Sequence, residues 1–136
     1  MTPDRHHRGT QGRCVVSVLV ADDHPRVRAG VGDILAAAGG LCVVGAACDG
    51  EEAFALATAL EPDVIVMDLS MPVVDGVEAT RRITRACPRT RVIVLTALHD
   101  LDRIARARAA GAVDCLYKDQ PPETIVAAVR SAAEAA

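Results

Sequence analysis

The 136-residue chain is almost without aromatic side chains: it has no tryptophan, one phenylalanine (Phe54) and one tyrosine (Tyr117). That excludes the stacked-ring platforms that hold single-stranded nucleic acid, and a flavin sandwiched between rings. Lysine is nearly absent too, since Lys118 alone among fifteen basic residues is not arginine. Lysine is a compact point charge on a flexible stem, whereas arginine is a planar fork. A chain that otherwise uses arginine therefore marks position 118 as one where a point charge is wanted. A net charge of -3 offers no electrostatic reason for this domain to bind DNA. The five cysteines (Cys14, Cys42, Cys48, Cys87, Cys115) form no C-x-x-C pair. Most sit in apolar runs, which predicts buried free thiols in a reducing cytoplasm rather than disulfides or zinc ligands. There is no apolar run of membrane-spanning length and no signal-peptide core. The expectation is one soluble, cytoplasmic domain with no membrane partner.

What is present is a regular alternation. Residues 1–13 are polar and without periodicity, and are expected to form a disordered tail ahead of a domain covering residues 14–136. Near-continuous apolar runs at 14–21, 41–47, 63–67, 91–95 and 113–117 read as strands covered on both faces. Between them lie helical patterns with their own punctuation. Pro25 starts the first and Gly39-Gly40 ends it; Asp49 and Glu52 form a capping box for the second, and Pro62 stops it. Asp75 and Glu78 open the third, with Ala79, Ile83, Ala86 and Cys87 inward, and Pro88 closes it. The fourth, from about Asp100, carries Leu101, Ile104 and Ala105 on one side and Arg103 and Arg106 on the other. Pro121-Pro122 introduces the fifth. Five strands alternating with five helices imply an α/β, doubly wound, five-stranded parallel sheet, (βα)5.

In such a sheet all the carboxyl ends of the strands share one edge, where open α/β folds bind ligands. The first strand delivers Asp22 and Asp23 there, the third Asp68, the fourth Thr96 and the fifth Lys118. Three carboxylates in one crevice repel each other unless they take up protons or share a cation. One lysine cannot neutralise three acids. Carboxylate oxygens with positions left for water describe a Mg²⁺ site rather than a zinc site. A cation beside Asp68, with Lys118 and the Thr96 hydroxyl converging, suits phosphoryl transfer with Asp68 as nucleophile.

The pair Asp22-Asp23, the block Met67-Asp68-Leu69-Ser70-Met71-Pro72-Val73-Val74-Asp75-Gly76, the triplet Leu95-Thr96-Ala97 and the triplet Tyr117-Lys118-Asp119 occur in order. Together they resemble a response-regulator receiver domain, over residues 15–134. The Ala21-Asp22-Asp23-His24-Pro25 start and the Lys118-Asp119 pair are most similar to the NarL/FixJ-type subfamily. The resemblance implies the flavodoxin-like, CheY-like strand order 2-1-3-4-5. It implies that Asp68 takes a phosphoryl group from a sensor histidine kinase, and that Asp23, Asp68 and the Ser70 carbonyl ligate Mg²⁺, with Asp22 acting through water. It further implies that Thr96 and Lys118 hold the phosphoryl oxygens with Ala97 beside them, and that Ser70 and Leu98 tune how long the phosphate survives. A homodimer on phosphorylation is among the implied partners, and DNA would be met only through an output domain beyond this chain.

Two positions depart from the family pattern. The aromatic that receivers usually carry three residues before the lysine is replaced by Cys115, and Tyr117 shares its pleat parity. Tyr117 is a candidate to take over the missing ring's part. Asp119 stands where many receivers have a cis proline, and a trans bond is expected because a non-proline cis bond costs about 2.5–4 kcal/mol. The Val27 and Val31 region of the first helix, with the loop after the fifth strand, is the expected kinase-docking face. The row Arg103, Arg106 and Arg108 reads as a solvated helix face, or as a surface for a dimer or output domain. Alternative readings are a pseudo-receiver with altered switching, and a small aspartyl-nucleophile phosphatase.

Overall fold

A computed structural model describes residues 14–97 and 100–134, so the expected tail and Leu98 lie outside the described residues. The strands are β1 (Val16–Ala21), β2 (Leu41–Ala47), β3 (Val64–Asp68), β4 (Arg91–Thr96) and β5 (Asp114–Tyr117). The helices are α1 (Pro25–Ala37), α2 (Gly50–Leu60), α3 (Gly76–Ala86), α4 (Leu101–Ala110) and α5 (Pro122–Glu134). All strand pairings are parallel, in the order β2-β1-β3-β4-β5. This is the doubly wound order expected above.

Alternation along the strands builds two cores, one on each face of the sheet. Leu19, Ile65, Met67, Val92 and Val94 point to the face covered by α2, α3 and α4, where Ala57, Ile83 and Ile104 meet them. Val18, Val20, Val64, Val66, Ile93 and Leu95 point to the other, against Val31 and Leu35 of α1 and Ile125 and Val129 of α5. Because both faces of β1, β3 and β4 are buried, their sequences are continuous apolar runs rather than alternating ones. Cys115 and Tyr117 both pack against the first core while Leu116 enters the second, as pleat parity requires.

The expected punctuation is present, with some differences. Asp49 caps α2 by accepting from the Glu52 N–H, and Glu52 reaches one residue further back, to the Cys48 N–H. Asp75 and Asp100 cap α3 and α4 in the same way, through the Glu78 and Arg103 N–H groups. No peptide bond is cis among the described residues, so the Lys118–Asp119 bond is trans. Ala86, expected inward on α3, is exposed, because the buried stripe runs through Ala79, Thr80 and Ile83 instead.

The face of α4 differs more. Its buried residues are Ile104 and Ala107, whereas Leu101 is 73% exposed and Ala105 is also exposed. The stripe is rotated so that Arg103, assigned to the solvent side from its spacing, lies at the edge of the buried face.

The cysteines require a correction. Cys48, Cys87 and Cys115 are free, but Cys14 and Cys42 are joined by a disulfide with Cα atoms 5.4 Å apart. Parallel pairing of β1 with β2, together with Gly40 O accepting from the Val15 and Val16 N–H groups, sets the entrances of the two strands side by side. Nothing in the spacing of the two cysteines shows that neighbourhood.

Candidate functional site

The carboxyl edge of the sheet collects the ionisable residues because β1 and β3, at its centre, end in acids. Asp68 is the last residue of β3, paired with Leu95 of β4, and is 2% exposed. Asp22 follows β1, is equally buried, and is tied to the end of β2 through its N–H and Ala47 O. Lys118 follows β5, and its N–H donates to Thr96 O at 2.9 Å, which fixes the start of that loop to the end of β4.

The side chains then converge. Lys118 Nζ lies 3.1 Å from Asp22 Oδ2 and 3.4 Å from Asp68 Oδ1. Asp68 Oδ1 also accepts the Ser70 N–H at 3.2 Å. Ligand atoms of Asp22, Asp23, His24 and Asp68 all fall within 4.8 Å of one another. Thr96 is buried at the end of β4 on the same edge, and Ala97 is exposed just beyond it. Burial pushes the Asp68 carboxyl above its ordinary range and the Asp22 charge adds to the effect, against the pull of the Ser70 N–H and Lys118.

Two atoms of this group are buried without a hydrogen bond: Asp68 Oδ2 and Asp23 Oδ1. His24 Nδ1 stands 3.0 Å from that Asp23 oxygen, but without hydrogen-bond geometry. Unsatisfied buried carboxylate oxygens are costly. Two of them, on residues of one oxygen-dominated cluster of three acids and one imidazole, fit a hard divalent cation such as Mg²⁺.

Three residues of this neighbourhood escaped sequence reasoning. His24 contacts both acids, with its N–H and Nδ1 at 2.9 and 3.3 Å from Asp22 Oδ1. Arg28 Nη1 donates to Asp22 O at 2.8 Å. Arg103, from α4, donates through Nη1 to Ser70 Oγ at 3.0 Å and through Nη2 to Leu69 O at 2.8 Å. The available signals were that His24 directly follows the acidic pair and that Arg28 and Arg103 lie near the starts of helices that begin beside the site.

The loop from Leu69 to Asp75 is held in shape by close backbone approach. The Gly76 N–H donates to Leu69 O, and an added Cβ at Gly76 would lie 2.3 Å from Asp68 O. Val73 in the same loop has φ +68° with 78% of its surface exposed. A β-branched residue in the left-handed region is strained, and an exposed one has little packing to lose. Val73→Gly is expected to stabilise the fold by about 1 kcal/mol, net of glycine's greater freedom in the unfolded chain. The midpoint of urea unfolding should rise with its slope unchanged; a lower midpoint would show that the valine side chain has a packing role.

The fold is a doubly wound domain whose carboxyl edge gathers two acids and a lysine around the buried Asp68. The response regulator receiver domain family matches residues 18–130, and the chain belongs to it. It is 41% identical over 115 residues to the transcriptional regulatory protein LnrK of Bacillus subtilis, covering 85% of this chain and 52% of that protein. To LiaR of the same organism it is 41% identical over 120 residues, covering 88% and 57%. To the response regulator GacA of Pseudomonas aeruginosa the identity is 41% over 116 residues, covering 85% and 54%. The chain thus spans about half the length of these curated relatives. The solved receiver domain of the putative response regulator NarL from Mycobacterium tuberculosis matches with a TM-score of 0.85 at 36% identity, covering 90% of this chain and 99% of that one.

Proposed function

We propose that this receiver domain accepts a phosphoryl group on Asp68 from the phosphohistidine of a sensor histidine kinase, and that the acyl phosphate changes the surface it presents to an output. The observation that carries this reading is the state of the Asp68 carboxylate. Oδ1 is engaged by Lys118 and the Ser70 N–H, and Oδ2 is buried without a hydrogen bond at the mouth of an acid cluster.

In the transfer, an Asp68 carboxylate oxygen forms a bond to phosphorus. The phosphorus–nitrogen bond of the donor breaks, and its electron pair returns to the imidazole. Lys118 and the Ser70 N–H favour the carboxylate anion that attacks, working against burial. Lys118 and the Thr96 hydroxyl take the phosphoryl oxygens, with Ala97 beside them. Mg²⁺ bound by Asp23, Asp68 and the Ser70 carbonyl, with Asp22 acting through water, would supply positive charge to the transferring oxygens.

The kinase is proposed to dock on a groove of about 210 Å³ between α1 and α5, which opens at Lys118, Gln120 and Pro122. Val27 and Val31 of the expected α1 face both line it, Val31 as a mostly buried residue shared with the second core. Output through transcription is proposed from the relatives' descriptions as transcriptional regulators. The same reading places the domain in the cytoplasm; among the described residues no helix is long and apolar enough to cross a membrane.

The test is incubation with acetyl phosphate and Mg²⁺ followed by intact mass. The wild-type chain should gain one phosphoryl group and Asp68→Asn none. Equal labelling of the two would move the nucleophile elsewhere.

A further inference from the structure

Arg103 belongs to a row of arginines on α4, and it leaves its helix for the phosphoacceptor loop. Arg106 lies 3.6 Å from Asp102 on its own helix. Arg103 spans from α4 to the loop after β3, and its two donors end on the carbonyl directly after Asp68 and on the side chain of the next residue. Leu69 O already accepts the Gly76 N–H at 3.0 Å, so the loop does not need the guanidinium to satisfy that carbonyl. Leu69 O keeps its backbone bond and Ser70 Oγ is exposed, so departure of the guanidinium leaves neither acceptor buried and unpaired.

We propose that Arg103 is the positioning residue that ties α4 to the chemical state of Asp68, its guanidinium passing from Leu69 O and Ser70 Oγ to phosphoryl oxygens once Asp68 carries them. This rests on the phosphoacceptor reading above. The phosphoryl group carries about −1.5 to −2 charges in place of the single carboxylate charge, and brings three strong acceptors one residue away from the present anchor. Arginine can meet such oxygens with two parallel bonds to an ionised acceptor, whereas its present acceptors are neutral, so the transfer is favourable. The shift is passed to the backbone because Arg103 sits in the first turn of α4, its N–H held by the Asp100 cap, with Ile104 buried next to it. The turn follows the guanidinium, and the exposed Leu101 at the start of the same helix is displaced with it.

The experiment compares amide hydrogen exchange across residues 101–110 before and after acetyl phosphate with Mg²⁺, with the response normalised to the phosphorylated fraction by intact mass. It uses the wild-type chain, Arg103→Ala, Arg103→Lys, Arg106→Ala and Asp68→Asn. In wild type, phosphorylation should change α4 exchange by about fivefold or more, the lower range of site-to-site coupling. Arg103→Ala should take the phosphoryl group, a carboxylate oxygen displacing acetate with its electron pair, yet show no α4 response. Arg103→Lys should keep part of the response, because a point charge still reaches one oxygen, and Arg106→Ala should keep all of it. A full α4 response in Arg103→Ala overturns the proposal, as does its loss in Arg106→Ala or its absence in wild type. Failure of Arg103→Ala to be phosphorylated overturns it too, since the residue then serves donor capture. If wild type takes no phosphoryl group, or Asp68→Asn takes as much, the phosphoacceptor reading itself has failed.

Discussion

Lys118→Met is expected to lose about 3 kcal/mol of folding stability at neutral pH without divalent cations, the lower range for breaking a buried ion pair. Lys118 Nζ is 3.1 Å from Asp22 Oδ2 and 3.4 Å from Asp68 Oδ1, and its side chain is 19% exposed, so solvent screens these contacts little. Methionine keeps most of the volume and removes the charge, leaving two buried carboxylates to repel each other. The pH dependence follows from Asp68, whose carboxyl is raised by burial first and by the Asp22 charge second, with Lys118 opposing. A carboxyl raised in the folded state contributes stability that is full below its unfolded pKa and is lost as pH rises through the folded value. Removing Lys118 raises Asp68 further. The deficit relative to wild type should therefore be greatest near neutral pH and shrink as pH falls toward the unfolded carboxylate value of about 4. Urea titrations of both proteins at a series of pH values measure this, and a deficit that stays constant over that range contradicts it. Added Mg²⁺ should recover more stability in the variant than in wild type, because it becomes the main positive charge in the crevice.

Gly76→Ala should have an effect of similar size for a steric reason. The new Cβ would meet Asp68 O at 2.3 Å and Leu69 Cα at 2.6 Å. Both neighbours are backbone at the end of a central strand, so neither can rotate away. The first turn of α3 has to move outward, weakening the Gly76 N–H bond to Leu69 O and shifting the loop that carries Ser70. A cost of about 3 kcal/mol is expected, lowering Tm by roughly 10 °C. Phosphorylation by acetyl phosphate should fall by about a hundredfold, since a displacement on the order of 1 Å at a reacting group costs that much. Gly32→Ala is the matched comparison, because nothing lies within 4 Å of its added Cβ in the body of α1. It should gain a few tenths of a kcal/mol and label normally. Equal Tm values for the two variants would show that the loop is softer than its packing indicates.

Much of the domain was readable before folding because its signals are local. Apolar runs of strand length, four of the five stopped by an acid, a threonine or a lysine, identify both the buried strands and the edge at which their ends meet. Asp49 and Asp75 could be assigned as caps, and the start of α4 placed near Asp100, because a side chain accepting an N–H three residues ahead is a short-range event. The orientation of α4 was not readable. Its sequence alternates alanine and arginine around few large apolar residues, so several faces have similar hydrophobic content. The fit of Ile104 and Ala107 against the sheet selected one that exposes Leu101 and turns Arg103 toward Ser70. The Cys14–Cys42 bond and the contacts of His24 with Asp22 and Asp23 were hidden for a related reason. Each depends on which backbones lie side by side, or on how a loop bends after a strand.

Sequence by itself determined the parallel (βα)5 plan and the identities of the acids, hydroxyl and lysine at the strand ends, since alternation, capping and burial are properties of neighbouring residues. Tertiary structure alone decided which oxygens stay unpaired, that Lys118 reaches Asp22 and Asp68 together, and that an α4 arginine rests on the loop after Asp68. Those outcomes turn on distances of a few ångströms between segments remote in the chain, and only the packing of helices onto a twisted sheet sets such distances.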